Sequence, residues 1–299
     1  MSTVGAQSRG VLRAACRQVG LPDEGAQPIR IAGNAIWRLP GGIVARIGRP
    51  DGREIAEREL AVARWLTDSG VRTVRPAIAD GPVLVDGRPV TFWDELAPHR
   101  PGTAADVARL LKQMHQLTPP ASLTLPPLEP LTKPTRRIAE AGLLTTDDRR
   151  WLQDHVGQLA ADFAGLPAGL PAGLPLCALH GDAWDGNVAV DADGTAYLLD
   201  LENTCYGPPE WDLVSTAVKH LTTATVTAAA YEDFCSTYGM DVTSWPGYPV
   251  LAGIRELRMV TFALQIADEH PHARAEAQHR VDCLRGRKGP RPWTWTAVP

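Results

Sequence analysis

In the stretch LHGDAWDGNVAVDADGTAYLLDLE, residues 179 to 202, four side chains could do chemistry together: His180, Asp182, Asn187 and Asp200. The residues between them read as strand, and Asp193-Gly194 is a favoured two-residue hairpin turn. Folding the segment about that turn puts Asn187 opposite Asp200 on one face, with Cβ atoms roughly 5 Å apart. An amide oxygen and a carboxylate at that separation suit a hard cation such as Mg²⁺, which takes few protein ligands and keeps water or phosphate oxygens for the rest. His180-Gly181-Asp182 lies on the loop feeding the first strand. A carboxylate there, beside a metal-bound phosphate, is placed to take the proton of an incoming hydroxyl. Any one of these residues is an ordinary turn residue; the ensemble H-G-D-x-x-x-x-N followed by D-x-E is not.

That ensemble resembles the catalytic segment of the aminoglycoside phosphotransferase and choline kinase-like family, small-molecule kinases related in fold to protein kinases. The resemblance implies that Asp182 is the catalytic base, that Asn187 and Asp200 are Mg²⁺ ligands, and that His180 braces the loop. It implies ATP or GTP as phosphate donor and an α+β fold, bilobal and protein-kinase-like, with a β-rich N-lobe and a mainly helical C-lobe. Nearly the whole chain from the region of Pro28 onward falls under it.

The elements that must position these groups can be read from the pattern of the chain. Residues 28 to 47 read as short strands broken at Gly33-Asn34 and Pro40-Gly41-Gly42. A helix follows from Arg53 to Asp68, then strands at Val83–Val85 and Pro89–Leu96 about an Asp86-Gly87 turn. Residues 1–96 are therefore expected to form the nucleotide-binding lobe, and 97–299 the catalytic and substrate-binding lobe. In the latter, Thr103 caps a helix carrying Val107, Leu110, Leu111 and Met114, a second runs from Thr146 to Phe163, and Trp211 to Arg285 is mostly helical. Proline at every fourth position of GLPAGLPAGLP, residues 165 to 175, predicts an extended connection. The tail, with Trp293 and Trp295, either packs back on the body or is disordered; the sequence leaves both open.

Within the first lobe, Arg46 of IVARI projects opposite Ile43, Ala45 and Ile47. It stands where the kinase template has lysine; arginine can clamp phosphate bidentately and keeps its charge. Glu59 shares a helical stripe with Ile55, Val62 and Leu66, so it faces inward and needs a cationic partner, for which Arg46 is the natural choice. Glu57 falls on a solvated stripe. By the resemblance, Gly33 and Asn34 belong to the loop over the phosphates, and Asp94, Glu95 and Ala97 to the hinge that meets the adenine edge. Asp212 would support the catalytic loop from the following helix.

A formal net charge of −4 gives no general reason to bind nucleic acid or an anionic membrane. No apolar run approaches the roughly 18 residues of a membrane span, and the N-terminus lacks the pattern of a secretory signal. Five scattered cysteines without a C-x-x-C pair fit reduced thiols in the cytoplasm. The partner is a small-molecule hydroxyl acceptor, with an antibiotic, and thus a resistance kinase, as the first expectation. The acids Asp185, Glu202, Glu210, Glu256, Asp268 and Glu269 would attract a polyamine, whereas Trp184 would suit an aromatic compound. A metabolic kinase for an amino alcohol or sugar is the alternative. A nucleotide-binding pseudokinase is a third reading, against which the intact Asp182, Asn187 and Asp200 argue. Neither ATP-versus-GTP preference nor oligomeric state is specified by the sequence.

Overall fold

The computed structural model describes residues 3–31, 34–78, 80–169 and 173–298. In chain order these form α1 (Thr3–Val19), β1 (Gln27–Ile31), β2 (Ala35–Leu39), β3 (Ile43–Ile47), α2 (Arg53–Asp68), β4 (Val83–Val85), β5 (Arg88–Asp94) and β6 (His99–Pro101). There follow α3 (Ala104–His115), α4 (Thr132–Glu140), α5 (Thr146–Gly169), β7 (Cys177–Leu179), β8 (Val188–Asp191), β9 (Ala196–Leu198) and β10 (Cys205–Gly207). The chain ends with α6 (Glu210–Leu221), α7 (Ala228–Tyr238), α8 (Tyr248–Glu269) and α9 (Arg274–Leu284). Two compact units result. One takes Met1–Gly102, Lys112–Pro126 and Asp185–Cys205, the other Thr103–Leu111, Pro127–Trp184 and Tyr206–Pro299.

The first unit is built on an antiparallel sheet of order β1-β2-β3-β5-β4. Its alternating strands bury Trp37, Leu39, Ala45, Ile47, Val90 and Phe92 against Val11, Leu12, Ala15 and Cys16 of α1. No element was assigned to residues 3–19 in the sequence reading, although these four apolar positions recur at helical spacing. Arg46 sits at the middle of the sheet, paired to Ile36 on one side and Thr91 on the other. On α2, Glu59, Val62 and Leu66 are buried as their stripe predicts, but Ile55 at its start is 45% exposed. Glu57 lies outward and takes a hydrogen bond from Arg53 at 2.7 Å, one helical turn away.

A smaller sheet of order β6-β8-β9 completes this unit and carries the metal-candidate hairpin. Its register differs by one residue from the expected one: Val188 pairs with Leu198, Ala189 with Tyr197 and Val190 with Ala196. Asn187 therefore faces Leu199, whose amide donates to its carbonyl at 2.9 Å, and Asp200 lies one step further. The cause is the loop, which is longer than Asp193-Gly194 alone. The Asp191 carboxylate accepts from the amides of Asp193 and Thr195 at 3.0 and 2.8 Å, a side-chain-nucleated turn that outcompetes the two-residue hairpin.

The second unit is helical around α8, which packs on α4, α5, α6 and α9. Leu251, Ile254, Leu257, Val260 and Leu264 of α8 are fully buried, as are Leu152, Leu213 and Phe234. Thr103 caps α3 as expected: its hydroxyl accepts from the Asp106 amide at 3.2 Å, and the Asp106 carboxylate accepts from the Thr103 amide at 3.0 Å. α5 continues to Gly169, beyond the expected end at Phe163 and into the proline repeat. One proline removes one helical hydrogen bond, which a long helix tolerates in its last turns; Leu170, Pro171 and Ala172 of the repeat lie outside the described residues. Trp293 and Trp295 are both buried, stacked at 5.4 Å, and the Trp293 amide donates to Thr222 at 2.6 Å. Among the described residues no helix is long and apolar enough to cross a membrane.

Candidate active site

In the first unit the site is organised by one guanidinium. β3 projects Arg46 from the sheet, and α2 presents Glu59 to its Nη1. Nη2 meets a carboxylate oxygen of Glu202 and lies 3.5 Å from Asp200 Oδ1. With its amide oxygen turned to the guanidinium, Asn34 accepts from Nη2 at 2.6 Å and Nε at 3.2 Å. Arg46, Glu59, Asp200 and Asn34 are thus brought together. Glu202 joins them on the arginine, rather than an acceptor-side acid patch. Gly33 lies outside the described residues.

Burial opposes ionisation of Arg46, but Glu59, Glu202 and Asp200 outweigh it and hold the guanidinium pKa above its usual range. Glu59 is pushed up to about 7, first by burial and further by Asp200 and Glu202, with Arg46 pulling the other way. A carboxyl whose pKa is higher folded than unfolded adds stability that is complete below its unfolded pKa and lost as pH rises through its folded one. The unliganded protein should therefore lose stability as pH is raised from 4.5 to about 7, by at most about 3 kcal/mol over that window. Urea unfolding at pH values on either side checks this; in Glu59→Gln that part of the dependence should vanish.

Asn187 closes a 3₁₀ turn, Asp185–Asn187, and is 9% exposed, whereas Asp200 opens a second turn, Leu201–Asn203. Asp200 adopts φ 56° and ψ 62°, a left-handed conformation that a side chain other than glycine adopts at a cost of roughly 1 kcal/mol. The strained backbone delivers its carboxylate to Arg46 instead of continuing the strand. Three carboxylates meeting one guanidinium leave an excess of negative charge, and the donors are all oxygen. That suits a hard divalent cation. Among the described residues no group of three or more His, Cys, Asp or Glu could hold a metal unaided, so phosphate and water oxygens would have to complete the coordination.

At the segment expected to be the hinge, the Asp94 amide donates to the Arg75 carbonyl and the Glu95 amide to the Gly42 carbonyl, both at 2.8 Å. Glu95 accepts from Arg38 at 2.5 Å and Asp94 pairs with Arg75 at 3.2 Å, so both side chains are engaged in ion pairs within the unit. Asp94, Glu95 and Ala97 also line a cavity of about 560 Å³ with Thr67, Thr73 and Tyr197. Its lining does not include Arg46, Glu59 or Asp200. Charge and backbone strain converge instead on the Arg46 cluster.

In the second unit the H-G-D loop is clamped from α6. Fully buried Asp212 accepts from the amides of His180 and Gly181 at 2.7 and 2.8 Å, and Trp211 Nε1 donates to the Gly181 carbonyl at 3.1 Å. His180 is itself fully buried, and its Nδ1 accepts from the Asp182 amide at 3.3 Å. Gly181 takes φ 82°, the bend that turns Asp182 outward. Asp212→Ala would leave two buried N–H groups without an acceptor and should cost about 3 kcal/mol or more in urea unfolding.

Arg255 of α8 donates to Asp182 Oδ1 at 2.8 Å. Burial alone would raise the Asp182 pKa, but Arg255 and Arg258 hold it below the ordinary carboxylate range. The site therefore offers an ionised carboxylate at any pH where carboxylates normally ionise. Neither Arg255 nor Arg258 figured in the sequence reading. Their spacing on one face of α8 was the available signal, and nothing local tied it to residue 182.

A five-stranded antiparallel sheet unit holding the Arg46–Glu59 pair and a helical unit holding the clamped H-G-D loop are the parts of a protein-kinase-like fold. Solved structures share that fold. A choline/ethanolamine kinase family protein from Mesorhizobium loti superposes with a TM-score of 0.61 at 19% identity, covering 95% of this chain and 94% of that one. Aminoglycoside phosphotransferase APH(3'')-Id from Streptomyces rimosus gives 0.60 at 19% identity, covering 85% and 99%. An amicoumacin kinase in complex with AMP-PNP and Ca²⁺ gives 0.66 at 15% identity, covering 94% and 96%. No curated protein sequence matches. The family model of the phosphotransferase enzyme family, APH, matches residues 32–254, and the chain belongs to that family. It is a phosphotransferase by that membership.

Proposed function

We propose that the chain transfers the γ-phosphoryl group of ATP or GTP to a hydroxyl of a small molecule, with Mg²⁺ held by Asn187 and Asp200. The observation that carries this reading is the convergence of Glu59, Asp200, Glu202 and Asn34 on Arg46. In it, Glu59 fixes a permanent cation where phosphate oxygens would lie, and the surplus carboxylates await a metal. When bound, Mg²⁺ would neutralise charge between the β- and γ-phosphates. Arg46 holds the phosphates, Asp182 orients the acceptor hydroxyl and receives its proton, and His180 and Asp212 keep the loop in place. The hinge from Asp94 to Ala97 takes the adenine edge. With the Asp94 and Glu95 amides committed within the unit, the backbone beyond Glu95 is the part of it best suited to that contact. Residues 1–96 and 97–299 act as nucleotide and acceptor lobes, in the cytoplasm where nucleoside triphosphates are abundant.

The neighbours named above act on different acceptors, so resistance to an antibiotic is one reading and phosphorylation of an amino alcohol or sugar another. Intact Asp182, Asn187 and Asp200 favour turnover over nucleotide sensing. A ligand at 100 times its Kd stabilises the folded state by about 2.7 kcal/mol, which shifts the melting temperature by a few degrees. Mg²⁺ with ATP or GTP should produce such a shift in the wild type, and Arg46→Ala should abolish it. No shift with either nucleotide would sink the proposal.

A further inference from the structure

The carboxylate that would activate the acceptor stands among cations. Arg255, with a side chain 12% exposed, donates to Asp182 Oδ1 at 2.8 Å. Arg258, three residues further along α8, lies with its guanidinium 5.3 Å from the Trp211 ring and adds its charge to the field at Asp182. The Lys219 ammonium sits 4.9 Å over the ring of Trp184, two residues beyond Asp182 and 39% exposed.

Four acids of this unit are engaged elsewhere. Glu210 is fully buried and accepts from the Leu174 amide at 2.5 Å. Asp212 cradles the loop backbone. Glu256 is buried between Thr222 and Arg291, with contacts at 2.6 and 2.5 Å. Asp268 accepts from the Gly142 amide at 3.2 Å. The expected attraction of a polyamine therefore loses Glu210, Glu256 and Asp268, and Glu202 belongs to the Arg46 cluster.

We propose that the acceptor is neutral or anionic around its reacting hydroxyl, and that Arg255 is the residue that sets this preference. The inference rests on the phosphotransfer reading with Asp182 as the base. A protonated amine next to the hydroxyl would have to approach within a few ångströms of Arg255, where like charges repel in a partly desolvated site. A neutral hydroxyl, or one beside a carboxylate or phosphate, meets no such penalty and can accept from the guanidinium.

The test uses one ring system in two charge states: a polyamine aminocyclitol and its fully N-acetylated derivative, which keep the same hydroxyls. The readout is the concentration at which each changes Mg²⁺-dependent nucleotide turnover. The N-acetylated compound should act at a concentration at least tenfold lower on the wild type. Arg255→Lys, which keeps the charge, should retain that ratio, and Arg255→Gln should bring it toward one. If both compounds act alike on the wild type, or the polyamine acts first, the inference is overturned; an unchanged ratio in Arg255→Gln overturns the role of Arg255. Turnover without added acceptor, present in the wild type and lost in Asp182→Asn, reports separately on the phosphotransfer reading. Its absence would bring down that reading, whereas turnover with a preference for the amine brings down only the inference.

Discussion

Asp182→Asn should lower kcat for phosphoryl transfer by about 10² to 10⁴ while leaving the KM for nucleotide near its wild-type value. The reason is a division of labour. The groups proposed to hold the phosphates, Arg46 with Glu59 and Asp200, lie in the unit built on the five-stranded sheet, whereas Asp182 is held by α6 and α8 in the helical unit. Asparagine can still accept from Arg255, so the loop should keep its conformation, but it cannot orient and deprotonate a hydroxyl. Loss of the anion beside a nearly buried guanidinium should cost stability by about 1 to 3 kcal/mol, which leaves a folded protein to assay. The pH dependence follows from the same geometry. The active form is the carboxylate, and because Arg255 and Arg258 hold its pKa low, the acid limb of kcat/KM due to Asp182 should fall below the ordinary carboxylate range. A limb near neutrality that disappears in the variant would contradict this assignment.

Asp200→Asn should reduce transfer by about 10³-fold or more, equivalent to at least about 4 kcal/mol of transition-state stabilisation. An amide is a poorer ligand for a hard cation than a carboxylate, and the site has few other protein oxygens with which to compensate. Stability should move the other way. Asparagine tolerates the left-handed conformation at position 200 as well as aspartate does, and the change removes one of three carboxylates crowded on Arg46. The unliganded variant should unfold at or above the wild-type free energy, by up to about 1 kcal/mol. A variant that is inactive yet no less stable marks a residue kept for chemistry rather than for folding. If Asp200→Asn instead lost stability and kept its response to Mg²⁺, Asp200 would be structural and the metal would lie elsewhere.

How far the sequence carries this account depends on the range of each interaction. The Arg46–Glu59 pair was within reach, because a strand alternation and a helical stripe each pointed one charged residue inward and the two lie 13 positions apart. Thr103 was readable as a helix cap from its residue type and the apolar spacing after it, whereas the role of Asp212 beneath the loop came from the family resemblance alone. Glu202 was assigned to the wrong surroundings: its bond to Arg46 spans 156 positions, and D-x-E says only that Asp200 and Glu202 share a face if the strand continues. The strand does not continue, since Asp200 turns left-handed and starts a new turn. The hairpin register failed by one residue because Asp191 folds its side chain into the loop, a competition invisible to a two-residue turn rule. Arg255 could not be tied to Asp182 without tertiary structure, because helical spacing on α8 shows a face but not its neighbour. Composition left the tail open between packing and disorder; Trp293 and Trp295 are buried because the Trp293 amide reaches Thr222 and the two rings stack on each other.

The central claim is that γ-phosphoryl transfer to a small-molecule hydroxyl depends on Asp182. Its most direct test is mass spectrometry of a pooled panel of antibiotics, amino alcohols, sugars and nucleosides incubated with Mg²⁺ and ATP or GTP. Wild-type protein should add about 80 Da, one HPO₃ unit, to a compound in the panel, and Asp182→Asn should add it at no more than about one hundredth of that rate. Transfer by the variant at the wild-type rate, or bound nucleotide that the wild type neither transfers nor hydrolyses, would contradict the account.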